Sequence, residues 1–167
     1  MANDVISGFS DTFRRYWLEG MRAKLGLLNR EAGDEALARD LLGCMQRHGA
    51  DFTNTFRDLS SGSLSDASVF RAPDFRQWVE RWQARLKRQP DSREASRRVM
   101  NAHNPAVIPR NHRVEEALAA AVERADYSVM EKLLEVLSHP YQEPPEEGGY
   151  HLPAPPSAQP YRTFCGT

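Results

Sequence analysis

Two cysteines and five histidines are the residues of this chain best suited to chemistry, and their spacing restricts what they can do. A nucleophilic hydrolase needs Ser or Cys within reach of a base that is oriented by an acid. No GxSxG occurs, and His48, His103, His112, His139 and His151 are scattered along the chain. Zinc sites commonly read as HExxH, as CxxC or as a His pair one helical turn apart, and none of these is present. The phosphate-cradling patterns GxGxxG and GxxxxGKS/T are missing as well. No catalytic residue and no metal ligand is therefore assigned from motifs. Cys44 falls on an apolar helical stripe and reads as a buried, inert thiol. Cys165 differs in kind. It stands two residues from the end in YRTFCGT, near Arg162, where a thiol is accessible, although access alone does not lower its pKa.

Nucleic-acid binding is the other chemistry to weigh. From Arg71 to Arg98 there are nine basic residues (Arg71, Arg76, Arg81, Arg85, Lys87, Arg88, Arg93, Arg97, Arg98) against four acidic ones (Asp74, Glu80, Asp91, Glu94). Such a stretch can neutralise phosphates. The same residues also suit the polar face of an amphipathic helix, paired with acids. The solvated or interdomain face is the favoured reading.

Whole-chain properties set wider limits. The length of 167 residues suits one domain, and 40% hydrophobic with 27% charged residues is ordinary for a globular protein. A net charge of −1 exerts no global pull toward nucleic acid or anionic membrane. No run approaches the ~20 apolar residues of a membrane span, and MANDVISGFS lacks a signal-peptide layout. Two cysteines are too few for a disulfide framework, so a reducing cytoplasm is the expected setting.

Helical periodicity must position these residues. Phe9, Phe13, Tyr16, Trp17, Met21 and Leu25 form one stripe, stopped at Gly26. A second helix fits Asp34 to His48, with Leu37, Leu41, Cys44 and Met45 inward, and a third carries Phe52, Phe56 and Leu59. SSGSLSDAS reads as a loop. Pro73-Asp74 opens an amphipathic helix with Phe75, Trp78, Val79, Trp82 and Leu86 on one face and arginines on the other. The two tryptophans read as core. Asp91 with Glu94 resembles a capping box for a helix ending near Met100. Asn111 is positioned to cap a helix with Val114, Leu118, Ala121 and Val122 inside, while Ser128 with Glu131 opens the last helix. Its stripe is Val129, Leu133, Val136 and Leu137, and His139-Pro140 ends it. The body, residues 1–139, is expected to be all-α with about seven helices.

From residue 140 to 167 seven of the eleven prolines accumulate, and this tail is expected to run extended. Tyr141, Tyr150, Leu152, Tyr161 and Phe164 punctuate it as anchors, which favours a tail docked on a folded surface over a disordered one. In NPAVIPRNH, Pro105 and Pro109 restrict the backbone, so Asn104, Pro105, Arg110, Asn111 and His112 read as a rigid turn in preference to an active-site buttress, and His103 and His112 flank it with a local structural role.

Five stretches carry a resemblance: MRAKLGL (Met21–Leu27), GADFTNTFRDL (Gly49–Leu59), NPAVIPRNHRVEEAL (Asn104–Leu118), LLEVLSHPY (Leu133–Tyr141) and YRTFCGT. In order and spacing they resemble the C-terminal part of the selenoprotein O (SelO, YdiU-type) protein adenylyltransferases, from about Phe13 to Thr167. The resemblance implies a portion of a kinase-like pseudokinase that transfers AMP from ATP to Ser, Thr or Tyr hydroxyls of protein substrates. It implies ATP with Mg2+ or Mn2+ for the full-length family, with those ligands held outside the stretch matched here and no cofactor in this chain. Cys165 matches the family's near-terminal cysteine or selenocysteine, which implies a redox latch whose disulfide partner lies in the kinase-like part. The expected partners are that N-terminal part and the protein substrates, with no membrane and no nucleic acid; the Phe9–Met21 stripe supplies part of the interface or a face for self-association. The competing reading is an independent module that binds a protein or RNA through Arg71–Arg98.

Overall fold

The computed structural model describes the backbone of residues 2–62, 68–144 and 147–155. Among them every regular element is a helix: α1 (Ala2–Leu25), α2 (Asp34–Arg47), α3 (Phe52–Ser61), the single turn α4 (Ser68–Arg71), α5 (Pro73–Arg88), α6 (Arg93–His103), α7 (Asn111–Arg124) and α8 (Ser128–Leu137). The seven longer helices are those that the apolar periodicity marks out. The all-α class expected from the sequence is the one observed. No described helix is long and apolar enough to cross a membrane.

The contacts divide the chain into two compact units, Met1–Ala106 with Pro140–Glu143, and Val107–His139 with Pro144–Thr167. In the first, α1 packs on α2, α3 and α6, and α2 packs on α5. Its core contains Leu25, Leu41, Phe56, Phe75 and Trp78, all nearly free of solvent. Both tryptophan indoles of α5 find an acceptor, as a buried polar tip must. Trp78 Nε1 donates to Leu37 O at 2.8 Å and Trp82 Nε1 to Leu25 O at 2.9 Å. The α1–α2 connection is further held by α5. Gln89 Nε2 donates to Gly26 O and its Oε1 accepts from the Leu28 amide, while Arg85 Nη2 donates to Asn29 O. Gly26 lies at φ +69°, and a Cβ there would meet Met100 Sδ at 2.9 Å, so glycine is required on both counts.

The arginine face expected for α5 needs correction at one position. Arg85 is buried, and its Nε donates to Asp34 Oδ1 at 2.8 Å. Asp34 is buried too; its Oδ2 accepts from Arg22 Nε at 2.8 Å and from the Glu31 amide at 2.9 Å. Burial pushes the Asp34 carboxyl upward, but the hydrogen bonds from Arg85, the Glu31 amide and Arg22 outweigh it and hold it below the usual carboxylate range.

Three helix starts differ from the sequence reading. Ser92, not Asp91, caps α6 and accepts from the Ala95 amide. At α8, Asp126 Oδ1 accepts from the Ser128 amide and hydroxyl, so Ser128 is a donor there rather than the cap. The N-cap of α7 is Arg110, with Asn111 the first helical residue. In each case a polar cluster offers two or three candidate caps, and backbone direction selects among them.

In the second unit α7 packs on α8 through buried Ala117, Ala120 and Leu133. The expected inner face of α7 is turned: Leu118 and Val122 are exposed, and small alanines occupy the contact instead. Pro140–Glu143 rejoins the first unit, where Pro140 O accepts from the Ala106 amide at 2.7 Å and Glu143 pairs with Arg57.

Arg85→Ala strands the buried Asp34 carboxylate and is expected to lower the unfolding free energy by about 3–5 kcal/mol in a denaturant titration. Because the folded pKa of Asp34 is depressed, its contribution is present above the unfolded value near 3.8 and is lost as pH falls through the folded value. The acid limb of the stability profile should therefore flatten in Arg85→Ala.

Candidate functional site

The residues singled out in NPAVIPRNH separate into two structural roles. Asn104 ends α6 and is fully buried. Its Nδ2 donates to Lys24 O and to Ser60 Oγ, each at 2.8 Å, and Ser60 Oγ donates onward to Phe56 O. Lys24 Nζ donates to His103 O at 2.8 Å and to Asn104 Oδ1 at 3.3 Å, and stands 5.4 Å from the Phe56 ring centroid. Burial lowers the pKa of Lys24. Arg57 Nη1 donates to Asn104 O at 3.2 Å. One amide side chain thus ties α1, α3 and α6 together. A buried amide leaves no group unmet here, which is the condition for such a knot to stabilise.

The other residues of the motif serve the second unit. Arg110 Nη2 donates to His151 O at 3.0 Å. Arg113, beside the motif, donates through Nη2 to Gly148 O, and its guanidinium lies 5.6 Å from the Tyr150 ring centroid. The described part of the proline-rich tail is therefore gripped by two arginines at the start of α7, the N-cap Arg110 and Arg113 in its first turn. Pro105 is half-buried and Asn111 exposed. His112 is half-buried; burial, then the neighbouring Arg113 and Arg110 charges, lower its pKa. Cys165, with Tyr161 and Phe164, lies outside the described residues.

Four arginines of the basic stretch are paired with acids. Arg81 reaches Asp40 at 2.7 Å, Arg85 reaches Asp34, Arg88 reaches Glu31 at 2.7 Å, and Arg98 approaches Glu94 at 3.9 Å. Two of these pairs, Arg81–Asp40 and Arg85–Asp34, join α5 to α2. By contrast, three aromatics of the α1 stripe are uncovered: Phe9, Phe13 and Tyr16 are 67%, 60% and 62% exposed. The lower end of the same stripe, Met21 and Leu25, is buried.

Sequence patterns did not single out one further cluster. Cys44 and His48, one turn apart on α2, meet Asp74 at the start of α5. Cys44 Sγ is 3.5 Å from Asp74 Oδ2, and His48 Nε2 is 2.9 Å from Oδ1. Arg47 Nη2 donates to the same Oδ2 at 2.8 Å. Hydrogen bonds from Arg47 and then His48 hold the Asp74 carboxyl well below the usual range. Burial, followed by the Asp74 charge, pushes the Cys44 thiol up.

Asn104→Leu removes the shared partner of Lys24 O and Ser60 Oγ and is expected to cost at least about 2 kcal/mol. Asn111→Ala, at an exposed position with no cap bond, should cost under about 0.5 kcal/mol in the same unfolding experiment.

The family model described as "Protein adenylyltransferase SelO" matches residues 1–138. The chain is 58% identical over 167 residues to the "Protein nucleotidyltransferase YdiU" of Syntrophotalea carbinolica. Over the same length it is 54% identical to the protein so named in Alkaliphilus metalliredigens and 53% to that of Geobacillus kaustophilus. In each case the whole of this chain aligns but only 34% of the relative. The chain spans about a third of the length of these curated relatives, and with a model match over 138 residues it belongs to the SelO family of protein adenylyltransferases.

Proposed function

We propose that this chain is the C-terminal, non-catalytic part of a SelO-type protein adenylyltransferase, which transfers AMP from ATP to Ser, Thr or Tyr of protein substrates. The observation that carries this reading is the length relation: the relatives named as nucleotidyltransferases are about three times as long as this chain. The role of the chain is to pack on the kinase-like part and to present the tail that ends in Cys165, a redox-responsive thiol.

Two features support the division of labour. The full-length family implies ATP with Mg2+ or Mn2+, and Mg2+ seeks oxygen ligands in octahedral array. Among the described residues the one grouping of three possible ligands is Cys44, His48 and Asp74, a thiol, an imidazole and a carboxylate. That donor set does not fit magnesium–ATP, and no step of nucleotide transfer is derived through it. The second feature is the Phe9, Phe13 and Tyr16 face. It continues the buried Met21 and Leu25 stripe outward and so suits a covering partner. The arginine grip on Gly148 and His151 ties the described part of the tail to the start of α7.

Titration calorimetry of this chain with ATP and magnesium should show heats of dilution alone; saturable binding would overturn the reading. In the full-length protein, Phe9→Glu with Phe13→Glu should impair adenylylation, yet change the stability of the 167-residue chain by under about 0.5 kcal/mol, since both side chains are exposed there. Cys165→Ser should remove the difference between oxidising and reducing conditions.

A further inference from the structure

We propose that Cys44, His48 and Asp74 form a zinc-type divalent metal site that staples the C-terminal turn of α2 to the first turn of α5. The i, i+4 spacing places Cys44 and His48 on one helical face. The packing of α2 on α5 brings Asp74 to the same point, so that the three ligand atoms lie within 4.8 Å of one another. That envelope suits a single ion at bond lengths of about 2.0–2.3 Å. Thiolate, imidazole and carboxylate together select zinc or cobalt over magnesium or calcium.

Burial and access are divided usefully among the ligands. Cys44 is 1% exposed and fixed by the core, whereas the His48 and Asp74 side chains are 34% and 39% exposed. An ion can enter from solvent past the latter two, and a fourth position remains for water. The groups that face the site are Arg47, Cys44, His48, Asp74 and the Phe75 amide, which donates to Asp74 Oδ1 at 3.0 Å and can stay on that oxygen's second lone pair. Arg47 is the competitor: its guanidinium already holds Oδ2. The ion takes Oδ1, the oxygen now facing His48, and leaves Arg47 on Oδ2 as an outer-shell partner. Binding releases one proton, from the Cys44 thiol. Neutral His48, whose Nε2–H now donates to Oδ1, moves that proton to Nδ1 and offers the Nε2 lone pair to the ion. The charge of the site rises by one for each ion bound.

Co2+ is the probe for the thiolate, Zn2+ for stoichiometry and stability, both added to the reduced 167-residue chain carrying Cys165→Ser. The expected result is a near-ultraviolet thiolate-to-cobalt charge-transfer band, displaced by one equivalent of Zn2+, and a higher melting temperature with Zn2+. Cys44→Ser should abolish the band. His48→Gln and Asp74→Asn, both at partly exposed positions, should weaken Co2+ binding by at least about tenfold while leaving the helical circular dichroism unchanged. Should Cys44→Ser fail to fold, these two variants decide. No band, a band that survives Cys44→Ser, or affinity unaltered in both His48→Gln and Asp74→Asn would overturn the site and leave the cluster an ion-pair clasp between two helices.

Discussion

A carboxylate removed from water must be neutralised, and the arrangement of the first unit follows from doing so for Asp34. Two guanidinium groups and an amide converge on it, from Arg85, Arg22 and Glu31. These come from α5, α1 and the connection before α2, so one buried charge fixes three segments at once. Replacing such a cluster by apolar residues need not cost stability, but removing one member does. What the cluster supplies is register. Arg85 can meet Asp34 only if Trp82 and Gln89, on the same face of α5, also meet the carbonyls that α1 leaves unpaired at its end.

Asn104 does for α1, α3 and α6 what Asp34 does for α1, α2 and α5. The two polar centres share α1, through Arg22 and Lys24, two residues apart. The last turns of α1 are therefore over-determined, whereas Phe9, Phe13 and Tyr16 earlier in the same helix are exposed. This contrast within one helix separates the core residues Met21 and Leu25 from the exposed aromatics that the proposal gives to a partner.

The helices were legible in the sequence because apolar residues recur at 3.6-residue spacing regardless of what they pack against. That same indifference hid the fate of Phe9, Phe13 and Tyr16: a stripe reads alike whether it faces its own core or another part of a longer protein. Arg85 was misread as surface, although a signal existed. Positions 78, 82, 85 and 89 share one helical face, so an arginine and a glutamine following two tryptophans marked a polar seam inside the core. Asn104 carried no comparable signal, since its partners Lys24 and Ser60 are remote in sequence. The Cys44–His48–Asp74 cluster was missed for the same reason, its third member being brought in by the α2–α5 packing. The motif NPAVIPRNH was recognisable as a unit, but its division between a knot and a clamp required the fold.

The hydrogen bond between the Ala106 amide and Pro140 O closes a loop within the first unit. Everything from Val107 to His139 hangs from that closure, with its two ends meeting at one peptide-to-peptide contact. Topologically the α7–α8 hairpin is an insertion into a host that is continuous without it. The entropy of joining the loop ends grows only slowly with loop length, so the host tolerates inserts of differing size at little cost.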